Sequence, residues 1–194
     1  MYLFFYFIFY FLFVFVIRSY LMWKKTGVNP LVFDKSDDAH GFNGRVFAMI
    51  SVLELIVIAI YAFKNEWYEY LLPFWYLENP TLVIIAWTLL IISLLIVWLA
   101  QAQMASSWRI GIDVKNKTRL VTKGLFSISR NPVFLAIMIA NLAMFLIIPN
   151  AFTLVILSLS ALSTSTQIRL EEDFLKHELG DEYLLYFKKV RRWL

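Results

Sequence analysis

The stretch Thr81-Leu-Val-Ile-Ile-Ala-Trp-Thr-Leu-Leu-Ile-Ile-Ser-Leu-Leu-Ile-Val-Trp-Leu-Ala100 contains no charged side chain. As a single helix, a run of this length crosses the roughly 30 Å hydrocarbon core of a bilayer. Lipid offers no hydrogen-bonding partner to the backbone, so a helix is the conformation that satisfies such a run internally. The sequence therefore predicts a transmembrane helix here.

Apolar runs of similar character occupy much of the rest of the chain. The first is read as a retained helix that ends at Arg18, because it lacks the basic start and small-residue cleavage site of a secretory signal. The last two are short and predict a tight helical hairpin that turns at Pro149 and Asn150. The four further runs are Met1–Ile17, Val46–Phe63, Val133–Ile148 and Ala151 to about Thr166.

The composition agrees with a chain whose outer surface is apolar. Hydrophobic residues make up 61% of it and charged residues 16%, whereas soluble domains average about 45–50% and about 25%. We therefore expect an all-α integral membrane protein of about five transmembrane helices in one structural domain. Residues 1–100 supply three helices with their loops, and residues 101–194 supply the fourth and fifth; the family resemblance described below implies that this second part is the cofactor-binding and catalytic region.

Lysine and arginine alternate between rich and poor segments along the chain. Arg18–Arg45 holds five, Lys64–Pro80 one, Gln101–Pro132 six, the Pro149-Asn150 turn none and the tail from Gln167 six. Cytoplasmic segments carry the excess of basic residues in membrane proteins. The pattern predicts an amino terminus outside, a cytoplasmic tail and an active site that faces the cytoplasm.

Metal and disulfide chemistry have little support in the sequence. The chain has no cysteine, and its two histidines, His40 and His177, lie far apart. A structural zinc site needs four clustered nitrogen or sulfur ligands. We expect no metal at the functional site.

Two predicted cytoplasmic segments carry polar residues that suit chemistry. In the first, Gly124 suits a turn, and Pro132 suits the first position of a helix with Asn131 near its cap. Arg130 then lies at a helix amino terminus, where backbone N–H groups and the dipole favour anions. A membrane-edge anchor is the alternative interpretation of Arg130.

The second segment extends the fifth helix with the acids Glu171, Glu172 and Asp173, and ends at Gly180. The alternative to a site is surface pairing at four-residue spacing, Arg169 with Asp173 and Glu172 with Lys176.

The tail beyond Gly180 has an apolar stripe that predicts an amphipathic helix at the membrane surface, able also to close over a site. The stripe consists of Tyr183, Phe187, Val190 and Leu194.

These motifs, taken in order, resemble the isoprenylcysteine carboxyl methyltransferase family of membrane enzymes. The resemblance covers roughly Gln101 to Leu194, and related phospholipid methyltransferases share part of the pattern. The motifs are Leu120-Val-Thr-Lys-Gly-Leu-Phe126, Arg130-Asn-Pro-Val-Phe134, Glu171-Glu172, Leu179-Gly-Asp-Glu-Tyr183 and the stretch Tyr186 to Arg192.

The resemblance implies S-adenosyl-L-methionine as cofactor, S-adenosyl-L-homocysteine as product, and a site built from the carboxy-terminal half. It implies catalytic roles for Arg169, which would orient the acceptor, and Glu171. Glu171 and Glu172 would meet the cofactor's ammonium or ribose. The cofactor-binding residues that it implies are Gln103, Leu120, Val121, Phe126, Arg130, Asn131, Pro132, Phe134, Glu171, Glu172 and Tyr183.

Three positions depart from the family pattern. Asn131 stands where the common form has histidine, and it can hydrogen-bond but not titrate. Phe134 keeps the ring of the usual tyrosine without its hydroxyl. Gln167 stands where eukaryotic members carry an arginine.

The supply of bases bears on the methyl acceptor. A carboxylate, with a pKa near 4, is nucleophilic at neutral pH, whereas a protonated amine needs a base. The sequence offers only His177 close to the predicted site, so it favours the carboxylate of a prenylcysteine-like lipid or prenylated protein. A phospholipid N-methyltransferase and a membrane NADPH-dependent reductase of the sterol type remain as alternatives, with a small transporter or structural protein as the non-enzyme alternative. Membrane lipids are expected partners and nucleic acid is not.

Overall fold

The computed structural model describes residues 1–27, 38–107 and 119–194 of the chain. The basic residues Lys35, Arg109, Lys115 and Lys117, which entered the charge pattern, lie outside the described residues. In the described parts six helices follow one another, and short 3₁₀ turns lie between the second and the third and between the third and the fourth. They are α1 Tyr2–Thr26, α2 Ala39–Phe63, α3 Pro80–Met104, α4 Pro132–Ile147, α5 Ala151–Leu179 and α6 Asp181–Lys189.

The helices match the predicted all-α membrane protein. In the described residues, four helices (α1, α2, α3 and α5) are long and apolar enough to cross a membrane, and α4 is a shorter apolar helix. At 1.5 Å per residue, the 16 residues of α4 span about 24 Å. The 29 residues of α5 span about 43 Å, so this helix is longer than the hydrocarbon is thick.

The predicted helix ends were too short in three places, because hydropathy does not register polar turns. Helix α1 passes through Arg18 and ends at Thr26, where the C-cap residue Gly27 has a φ of 71° in the left-handed region. Helix α2 begins seven residues before Val46, because Asp38 caps it by accepting a hydrogen bond from the Gly41 N–H at 2.8 Å. Helix α3 continues to Met104.

Small residues bring α3 and α4 together at the centre of the fold. Ala86, Ser93 and Ala100 recur every seven residues on the buried side of α3. The Ser93 hydroxyl donates to the Ala136 carbonyl of α4 at 2.8 Å. Small side chains let membrane helices approach closely, which replaces hydrophobic driving force with dispersion and interhelical hydrogen bonds.

Polar side chains join α1 to α3. The Tyr6 hydroxyl donates to the Leu90 carbonyl at 2.6 Å, and the Gln101 amide donates to the Val14 carbonyl at 2.9 Å. The Arg18 guanidinium donates to the Gln101 carbonyl. The basic residue that was expected to end the first helix therefore ties two helices together instead.

The α4–α5 hairpin forms as predicted, and a reciprocal capping box starts α5 at its turn. The Asn150 side chain accepts from the Thr153 N–H at 2.9 Å, and the Thr153 hydroxyl accepts from the Asn150 N–H at 3.1 Å. The turn also bonds to the loop between α2 and α3. There the Phe74 N–H donates to the Pro149 carbonyl at 2.8 Å, and the Ala151 N–H donates to the Leu72 carbonyl at 3.1 Å.

Candidate active site

A large cavity of about 1110 Å³ lies between α1, α2, the segment of residues 119–134, α5 and α6. Helices α1 and α2 touch at one end, where the Phe4 and Phe63 rings are 4.9 Å apart. Towards the other end both helices line the cavity. Along α2 the lining runs from His40 to Val52, a distance of about 18 Å at the helical rise.

The cavity changes character along its length. Its polar end lies where α2 and α4 begin and where α5 carries its acids. Its deeper part is lined mainly by apolar side chains of α1, α2 and α4. The polar end is lined by His40, Arg119, Arg130, Asn131, Gln167, Glu171 and Glu172, and the apolar part by Phe11, Phe15, Val16, Phe47, Ala48, Val52, Phe134 and Ile137.

Glu172 binds two arginines at the polar end. The Arg130 Nη2 lies 2.8 Å from Glu172 Oε1, and the Arg192 Nη2 lies 2.7 Å from Glu172 Oε2. The side chains of Glu172 and Arg130 are only 3% and 7% exposed. The hydrogen bond that Arg192 donates to Glu172 raises the pKa of the arginine, against a smaller opposing effect of burial. The three groups form one charge cluster that holds the tail against α5.

Arg130 also fixes the backbone of the tail. Its Nη1 donates to the Phe187 carbonyl at 3.0 Å and to the Val190 carbonyl, and its guanidinium lies 4.0 Å from the centre of the Phe187 ring. The Arg130 N–H donates to the Arg191 carbonyl at 2.9 Å. Arg130 therefore connects the start of α4 to the tail inside the protein. This position does not agree with the alternative interpretation of Arg130 as an anchor at the membrane edge.

Tyrosines of α6 close the same end of the cavity. The Tyr186 hydroxyl donates to the Phe126 carbonyl at 2.7 Å. Burial raises the pKa of Tyr186 to about 12, partly offset by the charge of Arg130. Burial also raises the pKa of Tyr183, which is 2% exposed and lines the cavity. Both phenols therefore stay protonated at neutral pH.

The predicted stripe of the tail is correct only in part. Tyr183 and Val190 are buried, but Leu194 is 67% exposed. The helix ends at Lys189, so helical periodicity does not extend to the last residues. Tyr186, which was not assigned to the stripe, is buried instead.

Most of the predicted site residues lie together on the cavity wall. Gln103 and Arg169 do not line it. Arg169 is exposed, and its guanidinium donates to the Ser165 carbonyl of its own helix at 2.7 Å. The predicted residues on the wall are Leu120, Val121, Phe126, Arg130, Asn131, Pro132, Phe134, Glu171, Glu172 and Tyr183.

The alternative of surface pairing on α5 is wrong for Glu172, which is buried against Arg130 and Arg192 rather than paired with Lys176. It is also wrong for Asp173, which lies 3.8 Å from His177 rather than with Arg169. The His177 side chain is 82% exposed and lies outside the cavity, so it is no base for the site.

Asn131 begins α4 as predicted, but its side chain does not cap the helix. Its Nδ2 donates to the Arg192 carbonyl at 3.1 Å. The residue that replaces the usual histidine therefore binds the tail.

Gln103 supports the cavity wall from behind. Its Oε1 accepts a hydrogen bond from the Leu125 N–H at 2.9 Å. Gly124 beside it has a φ of 64°, and a Cβ there would come within 2.5 Å of the Gln103 amide. The positive φ favours glycine, and a Cβ here would push aside the Gln103 side chain that holds the loop carrying Phe126.

Substituting Gly124 by alanine is therefore expected to displace both the glutamine and the loop. Left-handed backbone costs a non-glycine residue about 1–3 kcal/mol, and the clash adds to this. Gly27→Ala is the matched control, because its φ of 71° carries the same backbone cost and nothing lies within 4 Å of the added Cβ. Thermal unfolding in detergent compares them, and equal destabilisation would show that the Gln103 contact contributes nothing.

His40 and Gln167 are among the residues of the cavity wall that sequence reasoning did not assign to the site. His40 was considered only as a possible metal ligand, and Gln167 was noted only as a departure from the family pattern. Both line the cavity, and the His40 Nδ1 lies 3.3 Å from the Gln167 Nε2. No local pattern could reveal this, since it depends on the packing of α2 against α5. In the described residues, no group of three or more His, Cys, Asp or Glu could hold a metal ion.

Comparison with known proteins gives one match. The model of the isoprenylcysteine carboxyl methyltransferase family matches residues 82–177, about half of the chain. No curated protein and no solved structure matches it. The matched region contains α4 and nearly all of α3 and α5, and therefore the Arg130 and Glu171-Glu172 part of the cavity. Helices α1, α2 and α6 lie outside it.

Proposed function

Because the chain belongs to the isoprenylcysteine carboxyl methyltransferase family, a family of integral membrane methyltransferases, we propose that it transfers a methyl group from S-adenosylmethionine to a carboxylate. The acceptor is a lipid-modified, prenylcysteine-like substrate, methylated at the cytoplasmic face of the membrane. The observation that carries this proposal is that one large cavity has both a charged end and an apolar end.

The cavity is at least as large as a usual pocket for one small ligand, and its two ends differ in polarity. Pockets for one small ligand measure about 300–1,000 Å³, and this cavity is about 1110 Å³. Methyl transfer requires the cofactor and the acceptor together, with reacting atoms in line. The polar end suits a charged cofactor, and the apolar part between α1, α2 and α4 suits a hydrocarbon chain.

The charged groups at the polar end fit the cofactor's own charges. Glu171 presents a carboxylate on the cavity wall and suits the ammonium group. Val133 and Phe134, in the first turn of α4, also line the cavity. First-turn N–H groups lack a partner within their helix and favour anions, so they suit the carboxylate. Leu120, Val121 and Phe126 give the adenine apolar walls.

The different partners of the two adjacent carboxylates, Glu171 and Glu172, support this arrangement. Glu172 is bound by Arg130 and Arg192, whereas Glu171 accepts from the neutral Gln167 amide at 2.9 Å. A carboxylate already neutralised by two guanidiniums attracts an ammonium weakly. We therefore assign the cofactor's ammonium to Glu171 and a structural role to Glu172.

The proposed reaction needs little acid–base catalysis from the protein. The bound cofactor supplies an electrophilic methyl group, and a carboxylate acceptor is nucleophilic without a base. The residues of the cavity then align the acceptor with the cofactor and exclude water from the space between them. Alignment of this kind can supply a large part of a rate enhancement.

The direction of access is consistent with a cytosolic cofactor. The polar end is built from the segments around Arg130 and Glu171, which belong to the two regions with the most lysine and arginine. Such segments are cytoplasmic under the positive-inside rule. The cofactor is made in the cytosol, and its site must open there.

Ligand titration tests the proposal directly. We would titrate S-adenosylhomocysteine and NADPH into the detergent-purified protein by calorimetry. Labelled S-adenosylmethionine would then be supplied with N-acetyl-S-farnesylcysteine or with phosphatidylethanolamine. We expect saturable S-adenosylhomocysteine binding and a base-labile methyl ester on the prenylcysteine. Methylation of the phospholipid amine alone would contradict the acceptor, and binding of NADPH alone would contradict the reaction.

A further inference from the structure

An acceptor carboxylate at the polar end of the cavity requires a positive partner, because a carboxylate that leaves water without one is strongly destabilised. In the part of the chain that the structure describes, the cavity wall includes two arginines, Arg119 and Arg130, and no lysine. The resemblance implied Arg169 for this task, but its guanidinium bonds to its own helix and does not line the cavity. The permanent cation that could receive the acceptor is therefore Arg119 or Arg130.

Arg130 is committed to contacts within the protein. Its Nε and Nη2 donate to the Glu172 Oε1 at 3.1 and 2.8 Å, so its charge is already neutralised. Its Nη1 donates to the carbonyls of Phe187 and Val190, and its side chain is 7% exposed. A substrate carboxylate would have to compete with Glu172 and release the tail. Arg130 is therefore not the group that receives the acceptor.

Arg119 has the opposite environment. Its side chain is exposed and lines the cavity. Among the described residues, its guanidinium has no hydrogen bond and no ion pair. A guanidinium carries N–H donors in a planar arrangement that matches the two oxygens of a carboxylate. The charge and the donors of Arg119 are thus available to a ligand in the cavity.

The backbone of Arg119 is held at the same end of the cavity as Glu171. The Ser107 hydroxyl donates to the Arg119 carbonyl at 3.1 Å. The next residue, Leu120, packs against a buried cluster of the tail, and Leu175 of α5 packs against the same cluster. Leu175 follows Glu171 by four residues, about one helical turn. The buried residues of this cluster are Tyr183, Tyr186 and Val190.

We propose that Arg119 binds the carboxylate of the methyl acceptor and positions it beside the cofactor, while the lipid chain lies in the apolar part of the cavity. This inference rests on the proposed function and names the residue that recognises the charged group of the acceptor. The motifs that carry the family resemblance begin at Leu120, so they assign no role to Arg119.

Two substitutions separate the charge of Arg119 from the geometry of its donors. Arg119→Gln removes the charge and keeps a polar end, whereas Arg119→Lys keeps the charge without the planar donors. Lys123→Gln is the matched control, because it removes a positive charge from an exposed residue of the same segment that does not line the cavity. The readouts are the KM for N-acetyl-S-farnesylcysteine, the inhibition constant of N-acetyl-S-farnesylcysteamine, which lacks the carboxylate, and the Kd for S-adenosylhomocysteine.

We expect Arg119→Gln to raise the KM for the acid about tenfold, the usual loss for a hydrogen bond to a charged group. Arg119→Lys should restore part of this loss, and Lys123→Gln should leave the KM unchanged. The inhibition constant of the decarboxylated analogue and the Kd for S-adenosylhomocysteine should stay within about twofold of wild type in every variant, as for surface substitutions in general.

The exposure of Arg119 gives the proposal a second readout. Attraction between a guanidinium and a carboxylate in contact with water is screened by salt. The KM of the wild-type protein for the acid should therefore rise as sodium chloride is added, and that of Arg119→Gln should rise much less. An equal dependence on salt in both proteins would contradict a charge interaction at Arg119.

Three results would overturn the role of Arg119 while leaving the methyltransferase intact. They are an unchanged KM in Arg119→Gln, an equal loss for the acid and its decarboxylated analogue, and a loss that appears only in Arg169→Ala. Weaker binding of S-adenosylhomocysteine in Arg119→Gln would overturn it too, because the arginine would then belong to the cofactor site. Wild-type protein that binds S-adenosylhomocysteine but does not methylate the acid would instead refute the proposed acceptor.

Discussion

Replacing Glu172 by alanine is expected to lower the free energy of unfolding by about 3–5 kcal/mol. The Glu172 carboxylate is 3% exposed and holds Arg130, 7% exposed, and Arg192, 32% exposed. Without it, a buried guanidinium has no compensating charge, and removing one partner of a buried ion pair costs far more than the pair contributes net. The tail that Arg130 brackets then loses its attachment to α5.

Thermal unfolding in detergent measures this effect. For a chain of this size the loss corresponds to a midpoint roughly 6–20 °C lower. Asp173→Ala is the matched control, because Asp173 is the next residue along, is 71% exposed and contacts only the exposed His177 among the ion pairs of the described residues. We expect it to shift the midpoint by a degree or two at most.

A double-mutant cycle with Arg192→Ala shows whether the cluster acts as a unit. Arg192→Ala should destabilise the wild-type protein, and it should cost much less when Glu172 is already alanine. Additive losses in the two variants would contradict the cluster.

Replacing Glu171 by glutamine is expected to weaken S-adenosylhomocysteine binding about 10- to 100-fold with little loss of stability. A charge-assisted hydrogen bond contributes about 1.5–3 kcal/mol, and each 1.4 kcal/mol is a factor of about ten in Kd. The glutamine oxygen still accepts from Gln167, whose amide lies 2.9 Å from Glu171 Oε1. The network therefore persists while the charge that faces the ammonium is lost.

Calorimetry of the Glu171→Gln variant with S-adenosylhomocysteine makes the comparison, and its thermal midpoint serves as the internal control. Weaker binding at an unchanged midpoint supports an electrostatic role. Binding as tight as in wild type would remove Glu171 from the cofactor site. The variants of the two adjacent acids should therefore differ in what they lose. The Glu172 variant loses stability, and the Glu171 variant loses affinity for S-adenosylhomocysteine.

The helices were predictable from sequence because a membrane imposes one requirement on every span. Thr81 to Ala100 has no charge and no other way to satisfy its backbone in lipid. The helix ends were less predictable, since capping by Asp38 and the left-handed Gly27 act after the apolar run has stopped. Hydropathy measures the solvent preference of the side chains. It does not indicate where the backbone hydrogen bonds of a helix end.

The candidate site also has a part that could be predicted from the sequence and a part that could not. Arg130, Asn131 and Glu171 lie in short motifs whose local meaning is set by a helix start or a helix extension. His40 has no such motif, and only the packing of α2 on α5 brings it to Gln167. In the sequence, Arg192 is one of several basic residues in the tail. Its role depends on the turn that brings the chain back to Glu172.

The bonds between the Pro149–Asn150 turn and the Leu72–Phe74 loop determine where the bundle can move. Two backbone hydrogen bonds, which together form the antiparallel bridge of Pro73 with Asn150, hold this end of α4 and α5. At the opposite end the cavity separates α1 from α2, and side chains of the tail provide the closure. We therefore expect ligand exchange to be a hinge motion. The helices stay fixed at the turn and separate at the polar end of the cavity. Amide hydrogen exchange should accordingly be slow at the turn and faster in α6, with ligand slowing only the latter.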